Sequence, residues 1–402
     1  MTVPEHSLPT LRIKKKQERR LRAGHLWVYS NEVDVAATPL TGFEPGEAVR
    51  IEDHGGKALG CGYVNPHSLI CARLVSRDPA QVLDKSLLVH RLNVALSLRE
   101  RLFAEPYYRL VYGDSDALPG LVVDRFGDIL VAQITTAGME RLREEVLTAL
   151  EQVLKPRAVL WRNDSGIRAM EGLDSYVEDA LGTVPEHVGV VENGVRFEAA
   201  PREGQKTGWY YDHRMNRARM QPYVRERRVL DVFSYVGAWG VQAAAAGAAA
   251  VTCVDASARA LEGVLHNAEL NGVAERMDGV QGDAFDALKA LRAEGEKYDV
   301  LILDPPAFIK RKKDAKEGLL AYRRINQLAL QLLARDGVLI SASCSYHLSR
   351  ASLREVLGQA ARHVDRQLQI LEQGHLGPDH PVHPVMAETD YLKVFTVRSL
   401  AP

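Results

Sequence analysis

The chain has 402 residues, 46% hydrophobic and 26% charged, with 31 Gly and 18 Pro, a balance that excludes collagen, low-complexity disorder and coiled coil. At roughly 150 residues per domain the length suggests two to three domains, each able to bury a core without disulfide or metal support. The formal net charge of −1 carries no global nucleic-acid signal, and four cysteines with no CxxC exclude a disulfide scaffold and point to a reducing compartment.

Met1 to Pro9 contains Glu5 and His6 and no apolar core, so no signal peptide is expected. A basic stretch follows, Leu11 to Arg22, in which Lys14, Lys15, Lys16 and Arg19 are opposed only by Glu18. It reads either as an RNA-phosphate contact or as a solvated helix face. Short β-type runs separated by Gly, at Ala48–Ile51, Ala58–Val64 and Leu69–Val75, predict a small β-rich module over residues 1–78. From Asp78-Pro79 the pattern changes to a helix over 80–105. Strands at 108–111, 121–124 and 129–135 follow, then a helix over 141–154 and a strand over 158–162. These predict a small central α+β domain over 79–187. Within it Asp114-Ser-Asp116 reads as a surface turn rather than a metal cluster.

From Val188 the chain reads as α/β. A hairpin turns at Asn193-Gly194, and a helix after it is expected to be capped by Asp212. Strands then alternate with helices: strands at 228–233, 250–255, 277–282, 300–303 and 337–342, helices at 238–246, 257–271, 284–294, 317–334 and 349–362, and terminal strands at 367–373 and 392–398. Near-continuous apolar strands alternating with helices predict a mostly parallel, Rossmann-like sheet covered on both faces over 188–402. The longest apolar run, Val241 to Val254, is broken by Gln242 and Gly247 and is too short to span a bilayer, so a cytosolic protein without membrane association is expected.

The chemistry concentrates where these strands end. In such a sheet ligands bind at the carboxyl ends of the strands. The first strand ends at Asp231 and runs through Phe233 into a turn with Gly237 and Gly240, whose spacing is neither GxGxxG nor a P-loop. Asp255 ends the second strand, and Asp283-Ala284 follows the third. Singly, each Asp reads as a helix N-cap. Together, one carboxylate per strand is the layout expected for S-adenosylmethionine: Asp231 toward the cationic methionine part, Asp255 toward the ribose, and Asp283 toward the adenine amino group.

The fourth strand ends in Asp304-Pro305-Pro306-Ala307-Phe308. The two prolines stiffen the turn, and Asp-Pro-Pro there resembles the catalytic motif of nucleobase methyltransferases. Lys310 and Lys312 lie just beyond, placed for phosphates or simply solvated. The fifth strand ends in Ser343-Cys344-Ser345. Free cysteines are usually buried and inert, a reading that suits Cys61, Cys71 and Cys253. Cys344 has the more polar surroundings. A thiolate adding to C6 of a pyrimidine makes C5 nucleophilic enough to take a methyl group. A base then removes the C5 proton, and Asp304 is expected to bond the N3/N4 edge. The segment Arg202 to Arg214 sets aromatics beside Lys206 and Arg214, either to stack on a base or as a hydrophobic anchor. Asp379-His-Pro-Val-His-Pro384 is read without a metal.

These residues resemble a known family, the PUA-domain large-subunit (23S) ribosomal RNA cytosine-5 methyltransferases. The resemblance covers nearly the whole chain and runs through Gly24–Ser30, Gly204-Gln-Lys-Thr-Gly208, Asp212-His-Arg214, Asp304–Phe308, Ser343–Ser345, Asp379–Pro381 and Tyr391-Leu-Lys393. It implies an N-terminal PUA domain, a central α+β domain and a class I methyltransferase domain. It further implies Cys344 as nucleophile assisted by Asp304, and S-adenosylmethionine held by Asp231, Asp255, Asp283 and Gly237 with Gln205 and Thr207. Pro305, Pro306 and Phe308 would face the target base. The implied partner is ribosomal RNA, naked or in a partly assembled subunit, with a homodimer as the default oligomer. Cytosine-5 enzymes of another family carry a second cysteine after their Pro-Pro motif. Ala307-Phe308 stands there instead, so another group or water must remove the C5 proton. Two rival readings are a purine-nitrogen methyltransferase that does not use Cys344, with Phe308 stacking the base, and a non-catalytic RNA-binding assembly factor on the same scaffold.

Overall fold

The structure, a computed structural model, describes residues 8–400. The Met1–Ser7 part of the stretch read as lacking a signal peptide lies outside them. The chain forms two compact units. The first takes the residues up to Val188 together with 200–209 and 378–389; the second takes 189–199, 210–377 and the residues from Asp390 onward.

The first unit opens with β1 (Thr10–Arg12), α1 (Glu18–Arg22), β2 (Trp27–Val28), β3 (Glu47–Glu52), β4 (Ala58–Val64) and β5 (Ala72–Ser76). Their five-stranded sheet has the order β1-β3-β4-β5-β2 over a core that includes Leu11, Val49, Ile51 and Leu74. The basic stretch is therefore no single helix face. It passes from strand through an exposed turn at Lys14–Lys16 into a five-residue helix. Gly62 is required by the close approach of β4 and β5, since a Cβ there would lie 2.0 Å from the Arg73 carbonyl oxygen.

The chain continues through α2 (Lys85–Leu102), β6 (Tyr107–Tyr112), β7 (Leu121–Phe126), β8 (Ile129–Ile134), α3 (Ala137–Arg141), α4 (Arg143–Leu154), β9 (Ala158–Asn163), α5 (Ile167–Met170) and β10 (Tyr176–Leu181). The second sheet has the order β10-β9-β8-β7-β6. The helix expected over 80–105 starts later because extended Asp84 caps it, accepting the Leu87 N–H at 2.8 Å. Asp114-Ser-Asp116 does not form a solvated turn. Fully buried Arg99 needs a counter-charge, and Asp116 supplies it with two bonds of 2.7 Å. Asp114 accepts from the Trp27 indole at 3.0 Å.

Two segments distant in sequence join this unit through buried ionic contacts. Arg99 donates to the Asp379 carbonyl at 2.8 Å, and the Arg109 amide donates to the Asp379 carboxylate at 3.1 Å. The Arg109 guanidinium pairs with Asp124 at 2.9 and 2.7 Å, and the Thr207 hydroxyl donates to the same carboxylate at 2.6 Å.

The second unit contains a hairpin, β11 (Val188–Glu192) and β12 (Val195–Ala199), then α6 (Arg214–Val224), β13 (Arg228–Val232), α7 (Gly240–Ala245), β14 (Ala250–Asp255), α8 (Ala258–Leu270), β15 (Met277–Gln281), α9 (Ala284–Ala293), β16 (Tyr298–Leu303), α10 (Ala315–Leu332), β17 (Leu333–Ser343), α11 (Arg350–His363), β18 (Gln367–Gly374) and β19 (Lys393–Leu400). The seven-stranded sheet has the order β15-β14-β13-β16-β17-β19-β18. Strands β13 to β17 are mutually parallel, and β19 runs antiparallel between β17 and β18. Asp212 is not the cap of α6. It sits in a 3-10 turn ahead of that helix, and its carboxylate accepts from the Tyr391 hydroxyl at 2.6 Å. Among the described residues no helix is long and apolar enough to cross a membrane.

Removing one partner of a buried ion pair strands the other charge, at a cost of about 3–5 kcal/mol. Asp124→Ala should therefore lower the stability of the first unit by about that amount, and Asp124→Asn, which keeps acceptors, by less. Urea unfolding checks this, and an unchanged midpoint in Asp124→Ala would show that the network contributes nothing.

Candidate active site

Because β13, β14, β15, β16 and β17 are parallel, their carboxyl ends share one edge, and the polar residues that follow each strand collect there. Asp231 is fully buried. Its Oδ2 accepts the Gly240 N–H at 2.9 Å, while Oδ1 is buried with no partner. Burial pushes this carboxyl up to about 7, and the nearby Asp304 and Asp255 carboxylates add to the rise. Beyond it Phe233, Tyr235 and Gly237 all have positive φ, at 67°, 49° and 82°. Two non-glycine residues in the left-handed region within one turn mark strain of the kind that clusters at functional sites. At Gly237 a side chain would add strain and close contact, since a Cβ would lie 3.0 Å from Val241. Asp255 accepts from the backbone of Tyr235 and of Ser257, each at 2.9 Å. A buried carboxylate oxygen lacking a partner, a strained turn and a second carboxylate on the next strand fit a ligand that brings positive charge and a nucleoside hydroxyl edge.

Asp283 is the N-cap of α9, its Oδ1 taking the N–H groups of Phe285 and Asp286, and Ala284 is the buried first residue of that helix. Capping thus occupies one oxygen of Asp283 and leaves the other for a ligand.

Asp304 follows β16. Its Oδ1 lies 3.1 Å from Nε2 of buried His213, and its Oδ2 accepts the Trp239 indole N–H at 3.1 Å. Burial alone would raise the carboxyl, but the His213 imidazole and the Trp239 indole outweigh it and hold the carboxyl below its usual range. Burial alone would likewise lower His213, and Asp304 outweighs it, holding the imidazole above its usual range. The two shifts describe one imidazolium–carboxylate pair.

Cys344 follows β17, is half-buried, and its Sγ lies 4.0 Å from the Pro305 carbonyl oxygen. Its neighbours fix it. The Ser343 hydroxyl donates to the Tyr322 oxygen at 2.8 Å and accepts the Ser345 N–H at 3.1 Å. The Ser345 and Tyr322 hydroxyls bond at 2.8 Å, and the Ile309 N–H donates to Ser345 at 3.2 Å. That last bond ties the loop after Pro306 to the cysteine. The other three cysteines are buried, and burial pushes the Cys71 thiol up to about 12 and the Cys61 and Cys253 thiols up as well.

Of the other expected site residues, Pro305 is buried, Pro306 exposed, and Phe308 packs against Phe233, Phe285 and Tyr322. Lys310 and Lys312 are exposed in the same unit. Gln205, Thr207, Lys14, Lys15, Lys16 and Arg19 belong to the first unit, where the four basic residues are exposed. Sequence reasoning assigned no role to His213, Trp239 or Lys393. All three lie within or beside stretches that it singled out, but only the fold shows what they touch.

The family of PUA-like domains matches residues 11–77, and the family of S-adenosylmethionine-dependent methyltransferases matches residues 127–387. Ribosomal RNA large subunit methyltransferase I of Klebsiella pneumoniae (strain 342) is 35% identical over 395 residues, covering 97% of this chain and 98% of that protein. The enzyme of the same name from Tolumonas auensis is 36% identical over 398 residues, covering 97% and 99%. A solved S-adenosylmethionine-dependent methyltransferase from Streptococcus mutans superposes with a TM-score of 0.82 at 22% identity, covering 97% of this chain and all of that one. A second solved methyltransferase, in complex with SAH, gives 0.84 at the same identity and coverage. The fold is that of a class I methyltransferase with a PUA-like N-terminal domain and S-adenosylmethionine as cofactor. Within that class, the chain belongs to the family of ribosomal RNA large subunit methyltransferase I.

The pair at Asp304 has a pH signature. Raised His213 favours the folded state below its unfolded value near 6.5 and loses that contribution as pH rises through its folded value. Lowered Asp304 contributes above its own unfolded value and loses that contribution as pH falls through its folded value. The His213 imidazole should therefore titrate above 6.5 by NMR in the wild type. In Asp304→Asn, where burial and Arg217 lower it and only Asp212 still raises it, it should titrate lower than in the wild type. A midpoint that does not move would show that the two groups are not coupled.

Proposed function

We propose that this protein transfers a methyl group to C5 of a cytosine in large-subunit (23S) ribosomal RNA, naked or in a partly assembled subunit, through a covalent Cys344–C6 adduct. The observation that carries this reading is the juxtaposition of Cys344 with the Asp304-Pro305-Pro306 turn, at the strand edge that also holds Asp231 and Asp255. S-adenosylmethionine, when bound, supplies an electrophilic methyl group. Asp231, Phe233, Gly237, Asp255, Asp283 and Ala284 are the residues that would hold it. Gln205 and Thr207 would assist, although the Thr207 hydroxyl already donates to Asp124. The Cys344 thiolate adds to C6, which makes C5 nucleophilic toward that methyl group, whose bond to the sulfonium sulfur would break, leaving a neutral thioether, as the C5–CH3 bond forms. A base takes the C5 proton, and the S–C6 bond breaks to restore the thiolate. Asp304, ionised and held by His213 and Trp239, accepts from the cytosine amino group through its remaining lone pairs.

The reading assigns residues 1–78 to RNA binding through the exposed Lys14, Lys15, Lys16 and Arg19, 79–187 to a central domain and 188–402 to catalysis, with Lys310 and Lys312 on phosphates. It takes the cytoplasm as the site of action and a homodimer as the default oligomer. Against the purine-nitrogen reading stands the packing of Phe308 among Phe233, Phe285 and Tyr322, which engages the ring that would have to stack on the base. Against the non-catalytic reading stand the retained Cys344 and the Asp231, Asp255 and Asp304 carboxylates.

Asp231 makes cofactor binding pH-dependent in a stated direction. A carboxyl pushed up to about 7 is neutral in acid, and a cationic ligand favours its ionised form. Affinity for S-adenosylmethionine should rise as pH rises through about 7. Asp231→Asn should bind about tenfold or more weakly at pH 8, the scale of one charge-assisted hydrogen bond, with a flat pH profile. Calorimetry in buffers of different ionisation enthalpy reads both effects, and a pH-independent wild-type affinity would remove Asp231 from the cation site.

RNA carrying 5-fluorocytosine tests the chemistry, because fluorine cannot leave as a proton. Incubation with cofactor should give a denaturation-resistant protein–RNA band that Cys344→Ala lacks. Methyl label on ordinary RNA with no trapped band would instead point to a purine nitrogen.

A further inference from the structure

Lys393 is a buried lysine without a carboxylate partner. It is the first residue of β19, paired across the sheet with Ser343, and only 5% exposed. Its Nζ donates to the Ser345 carbonyl at 2.5 Å and the Tyr391 carbonyl at 2.8 Å, which satisfies both N–H bonds of the neutral amine and two of the three of the ammonium. Among the described residues no carboxylate stands within ion-pair distance of it. The ionisable groups whose charges act on it are Cys344 at the end of β17, Asp390 in the loop before β19 and Arg350 at the start of α11. Asp390 is exposed and Arg350 is itself a cation, one that donates to the Gly374 and Leu392 carbonyls. A buried ammonium bonded only to neutral carbonyls is costly unless a counter-charge forms beside it. The Cys344 thiol is the one half-buried group there that can become that counter-charge.

We propose that Lys393 is the charge-compensating partner of Cys344, holding the nucleophile as a thiolate in the resting enzyme. The proton leaves sulfur for the neutral lysine amine, so that the S–H bond breaks, an N–H bond forms, and a thiolate–ammonium pair replaces two neutral groups. Burial pushes Lys393 down to about 8 even with the charge of Cys344 pulling it up, which is close to an ordinary thiol, so the exchange is nearly balanced. Lys393 acts through Cys344 and is a positioning residue. The inference rests on the reading of Cys344 as nucleophile.

The test is the pH dependence of Cys344 alkylation by iodoacetamide in the full-length protein, followed by mass spectrometry of the Cys344 peptide. The wild-type rate should inflect below the ordinary thiol range near 8.5. In Lys393→Met the inflection should rise by at least one pH unit, so that the rate at pH 7 falls about tenfold. Lys393→Arg should keep the low inflection. S-adenosylmethionine binding reports that each variant is folded, and Lys393→Gln carries the comparison if Lys393→Met does not bind. The same inflection in the wild type and the folded Met or Gln variant would overturn the proposal, as would a wild-type inflection at or above 8.5. The 5-fluorocytosine trap separates the two levels. A Lys393-dependent low inflection without trapped RNA keeps the ion pair and removes the C5 chemistry. Trapped RNA with an unchanged inflection removes Lys393 alone.

Discussion

A carboxylate stays ionised inside a protein only if other groups replace the water it has lost, and the second unit is organised around meeting that requirement at Asp304. The residue sits where a buried parallel strand ends, and its partners arrive from elsewhere: His213 from the turn before α6 and Trp239 from the turn before α7. Those partners are themselves held by charge. Arg217 on α6 pairs with buried Glu192 at 2.5 and 3.0 Å, and Gln242 on α7 donates to the same carboxylate at 2.9 Å. The β11–β12 hairpin, a small element outside the main sheet, thus fixes the two helices that deliver the imidazole and the indole.

Cys344 depends on a different kind of order. The Ser–Cys–Ser turn is pinned by a hydroxyl cluster centred on Tyr322, so the thiol occupies a defined place beside Pro305. The four cysteines differ in exposure, three being buried and Cys344 half-buried. Cys61, Cys71 and Cys253 lie in places where burial opposes the thiolate. The turn that holds Cys344 is bonded by a lysine brought by the antiparallel strand β19, Lys393 donating to the Ser345 carbonyl. Inserting β19 between β17 and β18 is what puts a residue from the end of the chain beside the fifth parallel strand.

The first unit applies the same rule of paired burial to architecture. Arg99, Arg109, Asp116 and Asp124 form a buried set that reaches both Thr207 and Asp379, so two segments remote in sequence are built into the unit by hydrogen bonds to charged groups, each stronger than a neutral bond. The Gln-Lys-Thr-Gly and Asp-His-Pro motifs owe their places to this network. Asp114 and Asp116, which read as a surface turn, are part of the same interior electrostatics because Arg99 and Arg73 face them.

By itself the sequence determined the order of elements in the second unit, the edge at which its parallel strands end, and most of the polar residues that gather there. Period and polarity are local properties, and a parallel sheet brings the ends of its strands to one side whatever its details. The glycine turn after Asp231, the stiff Asp-Pro-Pro turn and the polar setting of Cys344 were legible for the same reason. Only the tertiary structure decided which groups compensate which charges. His213, Trp239 and Lys393 look ordinary in the chain, and Asp212 looks like a helix cap, yet His213 bonds Asp304, Lys393 bonds the Ser345 carbonyl next to Cys344, and Asp212 bonds Tyr391. The energy of a buried charge depends on distances of a few ångströms between groups tens to hundreds of residues apart, and no local pattern encodes those distances.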